Sequence, residues 1–351
     1  MIIEKKLAEF KNKIDPLLNE FFNAKIKKYR QIFPESVLLL EQVRNLTLRG
    51  GDRIRPALFY YGFCLIRKPN REEEKELLRL STAFEMSHSY ALIHDDIIDN
   101  SLLRRGGKTV NNYFASYFGD NWGERLAILA GDVAEIFGQE IFQSRLFEDR
   151  LKKALSIFLE MKEETVIGEY IDTVLPLSAR IPAEKEIKNM LCYKSGNYSV
   201  QKPLLTGAVL AGVSQRQYET LSQIGKSLGL AFQIRDDILG VFGKQQSVGK
   251  SVVSDISEGK RTLLIISTWQ NLQDKNKKKK LRQILGRKDI SQHDISWIKE
   301  TIRESGALDC CQKECQRLVL SSQSQIEQEK FKKEAKTFLA ELADFIISRE
   351  Y

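Results

Sequence analysis

The sequence predicts an all-α protein. Through most of the chain, apolar residues recur at spacings of three and four, which is the periodicity of an amphipathic helix. Only 7 prolines and 21 glycines interrupt the 351 residues, and we find no convincing strand pattern. We therefore expect a single domain over residues 1–351, a helical bundle whose inward-facing side chains line a central active-site cavity.

The first helix is predicted over residues 1–29, where Leu7, Phe10 and Ile14 fall on one face. The glycine pair at 50–51 ends the pattern, and a second helix begins near Pro56. Glycine-containing segments at 104–108 and 240–260 are predicted as loops. The other predicted helices cover residues 81–99, 126–147, 151–175, 183–191, 203–213, 221–239, 261–272 and 324–348.

Composition narrows the class of function. The formal charge is +8, so the chain should attract anions such as nucleic acid, an anionic membrane surface or a phosphorylated small molecule. No run approaches the roughly 18 apolar residues that span a bilayer, which predicts no integral membrane segment. Residues 1–13 lack the continuous apolar core of a secretory signal. We therefore expect a cytoplasmic protein whose five cysteines are reduced.

The most informative motif is an acidic cluster inside an apolar helical run. Asp95, Asp96 and Asp99 lie among isoleucines, and residues four apart share a helix face, so Asp95 and Asp99 can point the same way. Carboxylates in such surroundings are costly to bury without a cation, and their mutual repulsion would raise the pKa of at least one of them. The cluster therefore predicts a site for a hard divalent cation, which takes oxygen ligands.

A second acidic cluster, Asp236 and Asp237, lies in the apolar run 233–239. Both clusters are followed by basic residues, which are Arg104 and Arg105 after the first and Lys250, Lys260 and Arg261 after the second. Acid for a metal and base for an anion together indicate a diphosphate bridged by metal ions.

Taken in order, these segments resemble the trans-type isoprenyl diphosphate synthases, and most of all the geranylgeranyl diphosphate synthases. Residues 95–99 with Arg104 and Arg105 resemble the family's first aspartate-rich motif, and residues 232–240 resemble the second. Any one segment is weak evidence, but all of them in family order form a strong signal. The resemblance runs nearly end to end and includes residues 50–56, 193–195, 249–250, 255 and 259–260.

The resemblance implies the isoprenoid synthase fold and a magnesium-dependent prenyltransferase. Such an enzyme ionises an allylic diphosphate (dimethylallyl, geranyl or farnesyl) to an allylic cation and diphosphate. Isopentenyl diphosphate then attacks the cation through its double bond, and a proton is lost. Charge on the departing diphosphate must be stabilised as it develops, which in the family falls to three magnesium ions that bridge the two aspartate motifs and the diphosphate. We expect the same ions here, in a homodimer with one site per subunit.

The resemblance also assigns roles to residues of this chain. The expected metal ligands are Asp95, Asp99, Asp236 and Asp237. The residues expected to hold the allylic diphosphate are Arg104, Lys194, Ser195, Lys250 and Lys260. The catalytic set is therefore Asp95, Asp99, Arg104, Lys194, Asp236 and Lys260. Gln233, one helical turn before Asp237, should orient the diphosphate or a metal-bound water.

Isopentenyl diphosphate needs a second, metal-free basic pocket, which by resemblance falls to Arg55, His88 and Arg105. Asp52 stands where the family usually has lysine. Either its side chain turns away or the pocket is weakened, in which case Arg53 or Lys108 could compensate. Ser195 replaces the usual threonine and keeps the hydroxyl, and Gly240 stands where many members have aspartate.

Product length is expected to depend on the helix before the first motif. Tyr90 lies five residues before Asp95, about 7.5 Å along a helix axis, and Ser87 and Ala91 beside it are small. One aromatic residue there, with no insertion in the motif, resembles the C20 synthases. We therefore expect geranylgeranyl diphosphate as product, with C15 and C25 or longer as alternatives and ordinary core packing as the other interpretation of Tyr90.

Other classes of function remain open at this stage. A non-catalytic subunit of the same fold is favoured only by Asp52. A basic nucleic-acid-binding protein would fit the net charge. The lysine-rich run 274–280 is a solvated linker, an exposed helix turn or a nucleic-acid patch. Most basic residues, however, accompany the diphosphate motifs, so we expect no nucleic-acid partner. A terpene cyclase would not need Arg55, His88 and Arg105.

Overall fold

The computed structural model describes residues 2–178, 180–243, 254–287 and 289–349. Regular structure in these ranges is helical except for one hairpin of two-residue strands, so the predicted all-α class is confirmed. The chain divides into two compact units. The first contains Met1–Ile157, Pro203–Val213 and Lys332–Ala335, and the second contains Phe158–Lys202, Ser214–Phe331 and Lys336–Tyr351.

The first unit holds the N-terminal helices and the hairpin. In chain order its elements are α1 (Ile2–Arg30), α2 (Ser36–Leu48), α3 (Ile54–Ile66), α4 (Arg71–Ile98), β1 (Leu103–Arg104), β2 (Gly107–Lys108), α5 (Val110–Phe118) and α6 (Asp120–Ile141). The predicted apolar face of α1 is confirmed, since Leu7, Phe10 and Ile14 are buried. The helix α4 packs along α6. Gly131 of α6 permits this approach, because a Cβ there would lie 2.2 Å from Nε2 of His94.

The remaining elements mostly build the second unit. They are α7 (Glu148–Val174), α8 (Glu184–Leu191), a π-helix (Cys192–Gln201), α9 (Lys202–Ala211), α10 (Gln215–Phe242), α11 (Ser254–Ser257), α12 (Leu263–Asn271), α13 (Lys275–Ile284), α14 (Gln292–Glu304), α15 (Ala307–Gln328) and α16 (Lys333–Ser348). The helix α10 packs against the π-helix and α15. None of the helices in the described ranges combines the length and the apolar character needed to cross a bilayer.

Several predicted boundaries were wrong. The helix predicted from residue 81 begins at Arg71, because the Asn70 side chain caps the backbone N–H groups of Glu72 and Glu73. The helix α6 ends at Ile141 and not at residue 147, and the closing helix is broken near Glu329, whose backbone is extended. Helices α2, α5, α13 and α14 were missed, as was most of α15. In the predicted loop 240–260, α10 continues to Phe242, α11 covers 254–257, and residues 244–253 lie outside the described ranges.

Candidate active site

The first acidic cluster lies at the C-terminal end of α4. Asp99 caps the helix, and its backbone N–H donates to the carbonyl of Asp95 at 2.8 Å. Asp96 points into the protein with 1% of its side chain exposed, whereas Asp95 and Asp99 are half-buried. A helix C-terminus carries partial negative charge, which disfavours carboxylates there. These three acids therefore need a nearby cation.

Arg104 supplies that cation in this structure. Its Nη2 lies 2.7 Å from Oδ2 of Asp95, and its Nε donates to Oδ1 of Asp96 at 2.7 Å. Burial alone would lower the pKa of the Arg104 guanidinium, but Asp96, Asp95 and Asp99 outweigh burial and raise it. The arginine predicted to hold a diphosphate thus bridges two carboxylates of the first cluster.

A tight hairpin turn sends the two neighbouring arginines to different partners. Leu103 pairs with Lys108 and Arg104 with Gly107, which leaves Arg105 and Gly106 as the two turn residues. Both have positive φ, at 50° and 74°, as in the two-residue turns that fit strand twist. The segment predicted as a loop is therefore a hairpin, with Arg104 directed to the aspartates and Arg105 to His88.

Arg105 and His88 belong to a basic pocket. Nη2 of Arg105 lies 3.2 Å from Nε2 of His88, and Nη1 donates to the carbonyl of Arg49 at 3.2 Å. Burial, followed by the charges of Arg55 and Arg105, lowers the pKa of His88 well below its ordinary value. His88 is therefore neutral and accepts a hydrogen bond from Arg105. Burial also lowers the pKa of Arg105, and the positive charges of Arg53, Arg55 and Arg104 add to that effect while Glu85 opposes it.

The glycine pair predicted to break the helical pattern forms the edge of this pocket. Gly50 and Gly51 have φ of 71° and 82°, a backbone conformation that favours glycine. A Cβ on Gly51 would also lie only 3.0 Å from Nη2 of Arg105. The backbone therefore approaches the pocket arginine more closely than a side chain would allow.

Arg53 is buried away from any substrate, whereas its neighbour Asp52 is exposed. The Arg53 side chain has no exposed surface, and its Nε and Nη1 donate to Asp15 at 2.7 Å and to Glu85 at 2.8 Å. In this conformation Arg53 is a buried ion-pair residue and cannot touch a ligand. Asp52 is exposed to solvent.

The three residues expected to set product length lie on α4 opposite α6. Ser87 is buried, and a Cβ on Gly138 would lie 3.2 Å from its Oγ. Tyr90 is half-buried with its ring edge-on to His94 at 4.8 Å. Burial raises the pKa of Tyr90, and Glu135 and Asp132 of α6 add to the rise. Ala91 is half-buried.

The second acidic cluster lies near the C-terminal end of α10. Nε2 of Gln233 donates to Oδ1 of Asp237 at 2.8 Å, as expected for residues one turn apart. Asp237 is buried, whereas 40% of the Asp236 side chain is exposed. The two neighbouring carboxylates therefore differ, one held inside the unit and one open to solvent.

Sequence reasoning missed the residue that closes this second cluster. Nη2 of Arg349 pairs with Oδ1 of Asp236 and also donates to the carbonyl of Phe232 at 2.7 Å, with the guanidinium 3.8 Å from the centre of the Phe232 ring. The backbone carbonyl of Arg349 accepts two hydrogen bonds from Arg235. No local pattern indicated this contact, because Arg349 lies more than a hundred residues from Asp236 in the chain.

Lys194 lies on the π-helix, a rare conformation that is frequent at functional sites. Its Nζ lies 2.6 Å from Oδ2 of Asp172 and 2.9 Å from Oε2 of Glu169, both on α7. Neither acid was identified from the sequence, although their i, i+3 spacing places them on one face of α7. Ser195 follows on the π-helix and is half-buried.

Lys260 and Lys250 are the other two lysines predicted to bind the allylic diphosphate. Lys260 lies 2.7 Å from Glu258 and is mostly buried. Lys250 lies outside the described residues.

A metal ion bound by these acidic residues would need at least one further ligand. In the ranges that the structure describes, no three His, Cys, Asp or Glu side chains are grouped so that they could hold a metal ion by themselves. The three cysteines of α15 form no such group either, and all five thiols are free. Magnesium is usually bound by one or two carboxylates together with substrate phosphates. The oxygen donors present here fit that kind of binding.

Comparison with known proteins places the chain in one family. The polyprenyl synthetase family model matches residues 36–302. The chain is 32% identical over 308 residues to a short chain isoprenyl diphosphate synthase of Methanocaldococcus jannaschii, covering 88% of each protein. It is 30% identical over 290 residues to a geranylgeranyl diphosphate synthase of Saccharolobus solfataricus, covering 82% of this chain and 83% of that protein.

Solved structures give the same result for the fold. A geranylgeranyl pyrophosphate synthase from Corynebacterium glutamicum, complexed with isoprenyl diphosphate and magnesium, superimposes with a TM-score of 0.91 at 30% identity. The superposition covers 98% of this chain and 99% of that one. The resemblance drawn from the sequence and the isoprenoid synthase fold are thereby confirmed, and the chain belongs to the polyprenyl synthetase family.

Proposed function

We propose that this prenyltransferase condenses isopentenyl diphosphate with an allylic diphosphate to give geranylgeranyl diphosphate. The main support is the arrangement at the end of α4. Asp95 and Asp99 are half-buried carboxylates at that end. The hairpin that comes next in the chain carries Arg105, which forms a basic pocket with the neutral His88. Such a pocket suits an anion, and the carboxylates suit a hard cation.

The proposed metal ligands are Asp95 and Asp99 of the first acidic cluster and Asp236 and Asp237 of the second. We propose three magnesium ions per site, held by these carboxylates together with diphosphate oxygens, because no group of protein ligands in the described ranges suffices alone. When bound, magnesium would stabilise the negative charge on the departing diphosphate. Arg104 and Arg349, which now pair with Asp95 and Asp236, would exchange those partners for phosphate oxygens or move aside.

The proposed roles of the basic residues follow from their type. Arg104 offers a planar fork to phosphate oxygens, whereas Lys194 and Lys260 offer point charges. Both lysines now pair with carboxylates, which keeps their charge in place until an anion competes for it. We propose that they hold the allylic diphosphate, with Ser195 and Lys250 assisting. The allylic carbon–oxygen bond then breaks with its electron pair on the diphosphate.

The second substrate is proposed to lie on Arg55, His88 and Arg105. These residues would orient isopentenyl diphosphate so that its double bond attacks the allylic cation, forming a carbon–carbon bond before a proton leaves. Neutral His88 can accept from Arg105 while adding no positive charge to a pocket that already contains several arginines. We also propose that Gln233 orients the diphosphate or metal-bound water through its contact with Asp237.

The C20 product, the homodimer and the cytoplasmic location are also proposals. The C20 product is supported by the half-buried Tyr90 beside buried Ser87 and by relatives named geranylgeranyl diphosphate synthase. Other relatives are named for short-chain, geranylfarnesyl and farnesyl diphosphate synthesis. Product analysis therefore has to decide the chain length.

The test is an assay of the purified full chain. The protein is incubated with magnesium, isopentenyl diphosphate and, in turn, dimethylallyl, geranyl or farnesyl diphosphate, and product lengths are measured by chromatography. We expect C20 as the main product from each primer and no product after chelation of the metal. Product of another length would contradict only the C20 assignment, whereas no elongation of any primer would contradict the proposed function.

Variants connect the assay to the proposed site. Asp95→Asn and Asp236→Asn should each lower kcat by on the order of 100-fold or more, because each removes a carboxylate needed where charge develops. The matched control is Asp309→Asn, an exposed aspartate on α15, which should keep the activity of the unchanged chain. Equal loss in the control would show that the effect is not specific to the site.

A further inference from the structure

The lysine-rich run left open by the sequence forms a strongly charged helix surface. Residues 274–287 carry seven basic side chains and one acidic one, which is a net charge of +6 out of the formal +8 of the whole chain. Asp274 caps α13 by accepting from the backbone N–H groups of Asn276 and Lys277. The run is therefore an ordered helix and not a linker.

Four of these cations share one side of α13, which we call the basic face: Lys275, Lys278, Lys279 and Arg282. Their spacing of i, i+3, i+4 and i+7 is that of a single helix face, and the apolar side chains Leu281 and Ile284 are buried. The face spans about 10 Å along the axis, comparable to the Debye length at moderate salt. Its four charges therefore act on an approaching anion together.

Neighbouring carboxylates do not neutralise the three lysines of this face. Glu304 pairs with Lys277 at 2.8 Å and Asp294 pairs with Arg287 at 3.2 Å, and neither cation belongs to the basic face. In the described part of the chain, no carboxylate lies within ion-pair distance of Lys275, Lys278 or Lys279. Like charges at these spacings destabilise a helix, so an anionic partner would relieve a repulsion that the fold leaves in place.

One tryptophan contacts a lysine of the basic face and a second contacts the neighbouring Lys280, an arrangement that favours a membrane over a nucleic acid. Nζ of Lys278 lies 5.9 Å from the ring centre of Trp269, and Nζ of Lys280 lies 4.3 Å from that of Trp297. Lysine therefore already covers one face of each indole, whereas single-strand sites offer open aromatic faces to bases. Tryptophan beside clustered lysine is instead typical of protein surfaces that rest at the lipid headgroup level.

We propose that the basic face of α13 docks this protein onto a membrane surface that contains anionic lipids. The reason for docking rests on the proposed function, since a prenyl diphosphate is an anionic amphiphile whose tail gains by entering a bilayer with each added methylene. Docking would release this product next to the phase in which its tail is stable. The surface itself is defined by charge and does not depend on the product.

The experiment measures flotation of the full chain with vesicles of phosphatidylcholine alone or mixed with phosphatidylglycerol. We expect binding only to the mixed vesicles, and weaker binding as salt is raised. The combined variant Lys275→Gln, Lys278→Gln, Lys279→Gln and Arg282→Gln should lose on the order of 1,000-fold in affinity. The matched control removes four exposed lysines from α1 by Lys5→Gln, Lys13→Gln, Lys27→Gln and Lys28→Gln and should bind like the unchanged chain.

Three results would overturn the proposal. They are equal binding to neutral vesicles, an equal loss in both variants, and binding to DNA or RNA that exceeds vesicle binding and depends on the same four residues. Prenyl transfer in vesicle-free buffer is measured alongside, and both variants should keep it because the basic face lies outside the proposed site. Absence of prenyl transfer in the unchanged chain would contradict the proposed function and leave the vesicle result intact.

Discussion

Each of the two acidic clusters forms an ion pair with an arginine, but the two ion pairs differ in sequence separation and in burial. Arg104 reaches Asp95 and Asp96 from the hairpin directly after α4, and one of the two acids is fully buried. Arg349 reaches Asp236 from the residue after α16, and that acid is 40% exposed. The first ion pair joins residues that are close in sequence and mostly buried. The second joins residues that are far apart in sequence, and it pairs a buried cation with an exposed anion.

Because of this difference, losing the arginine should have a different free-energy cost in each cluster. A buried carboxylate that loses its partner becomes an uncompensated charge in the protein interior. An exposed carboxylate that loses its partner returns to water at small cost. The first arginine should therefore matter more for folding, and the second more for what else binds to its aspartate.

Arg104→Ala should have the largest effect on stability. It removes the partner of Asp96, which has 1% of its side chain exposed, so the free energy of unfolding should fall by about 3–5 kcal/mol. The measurement is urea denaturation in the presence of a chelator. Arg317→Ala, which breaks an exposed pair with Glu314, is the control and should cost less than about 1 kcal/mol. A similar small loss for Arg104→Ala would show that the first cluster does not depend on this arginine.

Arg349→Ala should cost less, roughly 1–2 kcal/mol in the same denaturation experiment. Asp236 can be hydrated once its partner is gone, so the loss comes mainly from the contacts of the buried guanidinium with Phe232. A loss as large as that of Arg104→Ala would remove the distinction between the clusters.

Metal titration sharpens the comparison further. If Asp236 is a metal ligand as proposed, Arg349 competes with the cation for it, and Arg349→Gln should raise the affinity of the chain for Mn²⁺ by roughly tenfold. Isothermal calorimetry measures this in the presence of inorganic diphosphate, which supplies the further oxygen ligands, with Arg317→Gln as the control. A fall in affinity would mean instead that Arg349 positions Asp236 for the metal.

The basic pocket beside the first cluster should make stability depend on pH. The pKa of folded His88 is held well below its ordinary value by burial and by Arg55 and Arg105. Below about pH 6.5 the unfolded chain therefore binds a proton that the folded chain does not, so stability present above that pH is lost as the pH falls, by up to about 1.4 kcal/mol per pH unit. Denaturation between neutral and mildly acidic pH should show a flatter dependence for His88→Gln. The exposed His293→Gln variant should follow the unchanged chain.

Tyr90→Ala should have the smallest energetic effect and a clear chemical one. If Tyr90 limits the space for the growing chain, its removal should lengthen the main product by at least one five-carbon unit. Product chromatography measures this, with Tyr113→Ala on α5 as the control. Unchanged product lengths would show that Tyr90 only packs against His94.

Local features of the active-site region were predictable from the sequence. The spacing of Asp95 and Asp99, the glycine pair at 50–51 and the turn of Gln233 before Asp237 all depend on neighbours within a few residues, where helix geometry fixes what can meet. The Asn70 cap at the start of α4 is also a local feature. The predicted start lay further along the chain because the charged first turn of α4 lacks the apolar periodicity that indicates a helix.

Contacts between distant segments could not be predicted in this way. Three contacts join distant residues: the burial of Arg53 between Asp15 and Glu85, the pairing of Lys194 with Asp172, and the ion pair of Arg349 with Asp236. The paired residues lie from 22 to 113 positions apart. A pattern within one helix carries no information about which helix packs against it.

By itself the sequence determined the all-α class, the family and the chemical type of the site, because these depend on residue identity and short spacing. Only the tertiary structure decided which cation meets which carboxylate and which arginine is withdrawn from solvent. The reason is that ion pairing depends on distance in space and on burial, and both are set by the packing of helices that lie far apart along the chain.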